Sequence, residues 1–238
     1  MAGMMIIGGT RGLGGTIAGE FARAGHQVAL ADEGAAPDGV YPYVAIDLAD
    51  PEAPACAVAQ ALTHLPTLDA LVIAASAMES APIERWTGAM WDRAAAINLR
   101  LPFLAVQAAL PALRQSANAS ITLLSSTATL RGQPFTHGYQ ATKAGVAGLV
   151  RSLAAELGPD GIRVNAVLPG WLDTPLTDAY WTTRENAADE RAQIEARIPL
   201  RRHGSAQEAA ALVCFLASPA ASYLTGAILP VDGGDTAV

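Results

Sequence analysis

The sequence predicts an α/β fold, a parallel sheet of about seven strands covered by helices on both faces. Three observations carry that expectation. Short aliphatic or β-branched runs alternate with helical patterns along all 238 residues. A glycine-rich turn follows directly on the first of those runs, and no Gly/Ser linker, low-complexity tract or internal repeat divides the chain. A chain of this length has room for one large domain with a substantial core, so residues 1–238 are expected to form a single unit.

The elements follow in order. Met4–Ile7 reads as the first strand, and Gly8-Gly9-Thr10-Arg11-Gly12-Leu13-Gly14-Gly15 turns the chain into a helix near 13–24. The second strand, Gln27–Ala31, ends at Asp32. The third, Tyr43–Ile46, is closed by Asp47 ahead of Asp50-Pro51 and a helix near 52–63. Ala70–Ala74, a helix near 89–113, Ser120–Leu124, a helix near 138–158, Arg163–Val167, a helix near 206–217 and Ala227–Val231 complete the alternation. In the 138–158 stretch, Val146, Leu149, Val150, Leu153, Ala154 and Leu157 keep the 3, 4, 7 spacing of an amphipathic helix. Residues 174–197, rich in Asp, Glu, Arg, Tyr and Trp, fit the alternation least and are expected to be a segment covering a substrate.

Composition excludes several classes. Half the chain is apolar, yet no uninterrupted apolar stretch of membrane-spanning length is expected. No basic segment followed by an apolar one precedes Met4, so no secretory signal is read. Cys56 and Cys214 follow no metal or redox spacing and are expected to be reduced, buried thiols of a cytoplasmic protein. His26, His64, His137 and His203 form no metal motif, and a net charge of −7 argues against nucleic acid or an anionic membrane as partner.

The turn after the first strand carries chemistry. Its glycines permit a tight turn and let backbone approach a pyrophosphate, which a helix N-terminus attracts. Asp32, eighteen residues beyond Gly14, is placed to accept hydrogen bonds from the adenosine ribose and to repel a 2′-phosphate. Glu33 adds a second negative charge, whereas Arg11 would favour that phosphate. Two carboxylates outweigh one arginine, so NAD is favoured over NADP. Asp47 either bonds the adenine amino group or caps the turn before Asp50-Pro51.

Lys143 is the only lysine, set against fourteen arginines, and stands four residues after Tyr139. Residues four apart share a helix face. A free tyrosine titrates near 10, and lowering it by about 3 pH units requires roughly 4 kcal/mol in favour of the phenolate. A unit charge about 4 Å away supplies a term of that size at an effective dielectric of about 20. A compact ammonium meets this need better than a planar guanidinium.

Together these residues resemble the short-chain dehydrogenase/reductase family along nearly the whole chain, with its Rossmann-type doubly wound sheet. Gly8-x-x-x-Gly12-x-Gly14 matches its cofactor turn and Tyr139-x-x-x-Lys143 its catalytic pair. Ser126, thirteen residues before Tyr139, matches its catalytic serine, with Ser125 the less favoured alternative. Asn98 matches its helix asparagine. Pro169-Gly170-Trp171-Leu172-Asp173-Thr174 resembles the loop that holds the nicotinamide carboxamide, and the likeness extends through Pro199–Gly204 and Thr225–Gly234. The cofactor set implied is Gly8, Thr10, Arg11, Gly12, Leu13, Gly14, Asp32, Asp47, Leu48, Ala74, Ala75, Tyr139, Lys143, Pro169, Gly170, Leu172 and Thr174. One departure stands out: Ile73-Ala74-Ala75-Ser76 occupies the place of the family's Asn-Asn-Ala-Gly.

The resemblance implies reversible hydride transfer between a nicotinamide cofactor and an alcohol/ketone pair. Tyr139 would move the hydroxyl proton, Lys143 would depress the phenol's pKa and hold the ribose, and Ser126 would polarise the carbonyl. Asn98 would position a water. Members that reduce enoyl thioesters usually space tyrosine and lysine more widely. Met78, the 128–135 loop, His137, Trp171, Leu172, Leu176, Tyr180 and Trp181 are expected to line a mainly apolar pocket for a small, neutral secondary alcohol or ketone. The alternative is a non-catalytic dinucleotide-binding regulator or scaffold of the same fold. A homo-oligomer, most often a tetramer, is also implied.

Overall fold

Seven strands stack in one parallel sheet, the central five almost wholly buried and the edge strands partly exposed. In the computed structural model, which describes residues 1–36, 39–182 and 185–238, these strands are β1 (Gly3–Ile7), β2 (Gln27–Asp32), β3 (Tyr43–Ala45), β4 (Ala70–Ile73), β5 (Ser120–Leu124), β6 (Arg163–Pro169) and β9 (Ile228–Val231). Their order is β3-β2-β1-β4-β5-β6-β9, with every neighbouring pair parallel. A separate two-stranded ladder pairs β7 (Leu172–Asp173) with β8 (Gly204–Ser205).

Alternation within the strands sorts the core into two layers, because successive side chains point to opposite faces. Met5, Ile7, Leu71, Ile73, Ile121 and Leu123 face α2 (Ala53–Ala61), α4 (Leu101–Leu113) and α5 (His137–Leu157). Met4, Ile6, Val28, Leu30 and Val72 face α1 (Gly12–Arg23) and α8 (Ala206–Ala217), which bring Ile17, Phe21, Val213 and Leu216. Both faces being covered explains why these strands read as continuous apolar runs. α8 is started by a capping box in which Ser205 and Glu208 satisfy each other's backbone N–H groups.

The expected elements are present with small changes in extent. β6 continues to Pro169 because its end pairs with β9. The long helix expected near 89–113 is three pieces: α3 (Gly88–Ala95), a π turn over Ala96–Arg100 that contains Asn98, and α4. The run Gly88–Leu113 is long and apolar enough on average to pass as membrane-spanning, although Asp92, Arg93 and Arg100 interrupt it. Half of its most apolar stretch is buried, and Leu101, Ala105, Ala109 and Leu113 pack on the sheet, so its apolarity is that of a core helix.

Residues 174–197 form α6 (Pro175–Thr182) and α7 (Ala187–Arg197), with residues 183–184 outside the described ones. No helix was expected here because α7 has no buried stripe. Polar contacts tether it instead: Arg191 pairs with Asp173 at 2.8 Å and Glu195 at 3.1 Å, and Arg197 with Asp235 at 2.8 Å. The cysteines also depart from expectation. Cys56 is exposed, at the edge of the α2 face that buries Ala53, Ala57, Val58 and Ala61, and Cys214 is only partly buried. Burial still pushes the Cys214 thiol up to about 11.

Candidate active site

The order of strands reverses at β1, whose neighbours β2 and β4 lead away in opposite directions. A crevice opens at the carboxyl ends of strands at such a switch point. Here it is a cleft of about 700 Å³.

Its floor begins at Gly8, which takes φ +85° directly after β1. A Cβ at that position would collide with the backbone of Ala75, and one at Gly14 would collide with the Gly8 carbonyl. The glycines are therefore required by close backbone approach. Arg11 precedes α1 in extended backbone and makes no side-chain cap, so the first N–H groups of the helix have no side-chain acceptor and suit an anionic ligand. Gly8, Arg11, Gly12, Leu13 and Gly14 all line the cleft. Thr10 does not; its amide and hydroxyl donate to the Asp32 carboxylate at 3.1 and 2.5 Å. Asp32 and Glu33 line the same end, and Glu33 lies 3.6 Å from Arg93. Leu48 is in the wall, whereas Asp47 is not, and its carboxylate accepts from the Ala49 amide at 2.8 Å, a turn cap.

Ala74, Ala75 and Ser76 after β4, Ser125 and Ser126 after β5, and Pro169 at the end of β6 with Gly170, Leu172 and Thr174 beyond it continue the wall. The two serines differ. Ser125 is buried and donates to the Lys143 carbonyl at 2.8 Å, tying α5 to β5. Ser126 starts a short 3₁₀ turn, where its oxygen accepts from the Ala128 amide at 3.1 Å, and its hydroxyl neighbours the Tyr139 phenol.

Tyr139 and Lys143 project from one face of α5 into this wall. The Lys143 ammonium donates to the Leu124 carbonyl at 2.7 Å and lies 5.9 Å from the centre of the Tyr139 ring. Burial lowers Lys143 to about 8. Burial also raises the Tyr139 phenol, with the hydroxyls of Ser126 and Ser76 opposing that rise. The expected depression of the phenol by a neighbouring ammonium is thus not the net result. Both groups are taken out of water, and the lysine's hydrogen bond goes to a backbone carbonyl. Asn98 lies outside the cleft and is fully buried. Its amide donates to the Ala77 carbonyl at 2.8 Å and to the Thr142 hydroxyl at 3.1 Å, and its oxygen accepts from the Ala77 amide at 2.8 Å.

Of the expected pocket residues, Met78, Ala128, Arg131–Pro134, Trp171, Leu172, Leu176 and Tyr180 line the cleft. His137 and Trp181 do not: His137 meets Trp86 edge-on, and Trp181 is buried behind Trp171, stacked at 5.3 Å. Ile194 and Arg197 reach the wall from the segment expected to cover a substrate, while Ser76 and Asp235 join it without having been named as pocket residues. Nothing local marks Asp235, which meets Arg197 across 38 positions of sequence.

The family model described as enoyl-(acyl carrier protein) reductase matches residues 8–236. The chain is 34% identical over 244 residues to a protein named probable galactose dehydrogenase GalD from Rhizobium meliloti (strain 1021), covering 98% of this chain and 94% of that one. It is 36% identical to cis-4-hydroxycyclohexanecarboxylate dehydrogenase from Sinomonas cyclohexanicum, covering 98% and 96%. Among solved structures, ligand-free aldohexose dehydrogenase from Thermoplasma acidophilum superposes with a TM-score of 0.94 at 27% identity, covering 100% and 94%. The sheet order, the glycine turn and these matches over the whole length lead to one assignment: the chain belongs to the short-chain dehydrogenase/reductase family of oxidoreductases.

Proposed function

We propose that the protein transfers a hydride between NAD(H) and a small, ring-bearing secondary alcohol or ketone. The observation that carries this reading is continuity: the cleft that starts at the glycine turn and Asp32 ends at Ser126, Tyr139 and Lys143. The residues fit a dinucleotide. Gly8, Gly12 and Gly14 leave backbone open for a pyrophosphate at the start of α1, Asp32 and Glu33 favour ribose hydroxyls over a 2′-phosphate, and Pro169, Gly170, Leu172 and Thr174 would face the nicotinamide. When bound, that cofactor supplies or accepts the hydride.

The chain's own residues handle the proton. Tyr139 takes the substrate hydroxyl proton during oxidation and returns it during reduction. Ser126 donates to the substrate oxygen as charge develops there. Lys143 holds the ribose and keeps a charge beside the phenol below about pH 8. Asn98 acts as a positioning residue, bracing the Ala77 backbone against Thr142 on α5. Residues 174–197 cover the substrate. The four-residue Tyr–Lys spacing favours carbonyl over enoyl reduction, despite the description carried by the family model.

Arg131 and Arg197 bring charge to the cleft, but Arg197 pairs with Asp235, and Arg131 donates to the Val238 carbonyl oxygen at 2.7 Å with Asp235 at 3.9 Å. Their charge is thereby partly compensated, which favours a neutral substrate. The two arginines and the relative named for a hydroxycyclohexanecarboxylate support a ring-bearing hydroxy acid as a second reading. NADH oxidation against neutral ring ketones and their carboxylate analogues, repeated with NADPH, tests both. The expected result is faster turnover with NADH on neutral rings, lost at least a hundredfold in Tyr139→Phe with NADH binding retained. Turnover by Tyr139→Phe equal to that of the unaltered chain would remove the assignment.

Homo-oligomer formation belongs to the same proposal. Phe103 is exposed on α4, beside a shallow apolar groove formed with Leu99 and with Leu149 of α5.

A further inference from the structure

Ser76 stands where the family pattern has glycine, and its place in the cleft differs from that of an ordinary loop serine. It follows β4 and lines the same wall as Ser126, Tyr139 and Lys143. Its Oγ is buried and has no hydrogen-bond partner among the described residues. A buried hydroxyl without a partner carries a desolvation cost of about 1–3 kcal/mol, which the loop could avoid by using the alanine found on either side of it, at Ala75 and Ala77. The hydroxyl sits close enough to the Tyr139 phenol to favour its ionised form, yet no closed hydrogen bond joins them.

We propose that Ser76 is a positioning residue of the proton-handling centre, whose hydroxyl turns to donate to the Tyr139 oxygen when that oxygen becomes phenolate. This deepens the oxidoreductase reading and rests on it for its purpose, but its geometry stands alone. A neutral phenol already carries its own proton and makes a weak acceptor. A phenolate accepts strongly, so Ser76 would offer it a short donor while the single Ser126 O–H serves the substrate oxygen. No proton leaves Ser76; only the direction of its O–H changes. The surrounding charges make such a donor useful. Burial works against ionisation of Tyr139, the Lys143 ammonium is bonded to the Leu124 carbonyl, and Arg131, Arg197 and Asp235 are engaged with one another. Asparagine, aspartate or histidine beside the phenol would bring bulk or charge; a serine hydroxyl adds a donor that can rotate away.

The test reads the phenol directly. The chain has five tyrosines, so carbon-13 labelling at the phenol carbon yields a small set of signals, and Tyr139→Phe identifies the one belonging to Tyr139. With the full chain, that signal is followed with pH in the unaltered protein, S76A, S76G and S76T, the other tyrosine signals reporting that the fold is intact. Tyr139 is expected to titrate about one pH unit higher in S76A and in S76G, with S76T, which keeps the hydroxyl, close to the unaltered protein. An unchanged Tyr139 titration in S76A and S76G overturns the proposal. Failure of the oxidoreductase reading appears separately, as absence of ketone reduction by the unaltered chain whatever its phenol does.

Discussion

Lys143 owes its properties to burial more than to its neighbour. Its side chain lies in the wall behind β5, only 2% exposed, with the Leu124 carbonyl as acceptor. A buried ammonium is disfavoured relative to a neutral amine, so its pKa falls, to about 8. The sign for stability follows: the native state loses this proton at about pH 8, whereas the unfolded chain holds it until 10.5. The group's cost to stability, roughly 3 kcal/mol, is therefore full below pH 8 and disappears as pH rises towards 10.5. Because the chain contains one lysine, selective nitrogen-15 labelling gives a single side-chain signal, expected to titrate near 8; titration near 10.5 would place the ammonium in solvent.

At the scale of elements, β1, α1 and β2 form one recognition unit. Gly8 ends β1 in a conformation that Cβ-bearing residues avoid, and the Asp32 carboxylate at the end of β2 reaches back to the amide and hydroxyl of Thr10. The same carboxylate lines the cleft, so the residue that fixes the turn is also the one proposed to select the ribose. Asp32→Ser removes the negative charge but keeps a small hydrogen-bonding group. Use of NADPH relative to NADH is expected to rise about tenfold or more in steady-state assays, and an unchanged ratio would detach Asp32 from cofactor choice. α6 and α7 behave differently. α6 is held by Trp181, buried and stacked on Trp171, whereas α7 is held by polar pairs: Arg197 with the buried Asp235 and Arg191 with the exposed Asp173, a surface pair of the kind that contributes about 0–1 kcal/mol.

For the whole molecule, seven parallel strands bring the cleft residues to their carboxyl ends, with two apolar layers behind them. The layers are filled, but the outer face of α4 and α5 is not: Phe103 is 45% exposed, with Trp91 on α3 at 48%. An aromatic ring left there favours association with a second copy, since burying such a side chain is worth about 1.5–3 kcal/mol. Phe103→Glu is expected to move the protein to a smaller species in sedimentation, with the fold retained by circular dichroism. An identical mass for both proteins would remove this face from assembly.

What the sequence determined by itself was everything set by short-range periodicity. Apolar runs marked the seven strands, glycine spacing marked the turn after β1, and the four-residue interval put Tyr139 and Lys143 on one helix face. These features depend on backbone geometry repeated over a few residues, which any reader of the chain can count. Only the tertiary structure decided which way Lys143 points, that Ser125 braces α5 while Ser126 faces the phenol, that Asn98 lies behind the cleft, and that Ser76, Arg197 and Asp235 belong to its wall. Each of those outcomes depends on competition among burial, hydrogen-bond partners and charge from distant segments, and that competition is settled only once the sheet has brought them together.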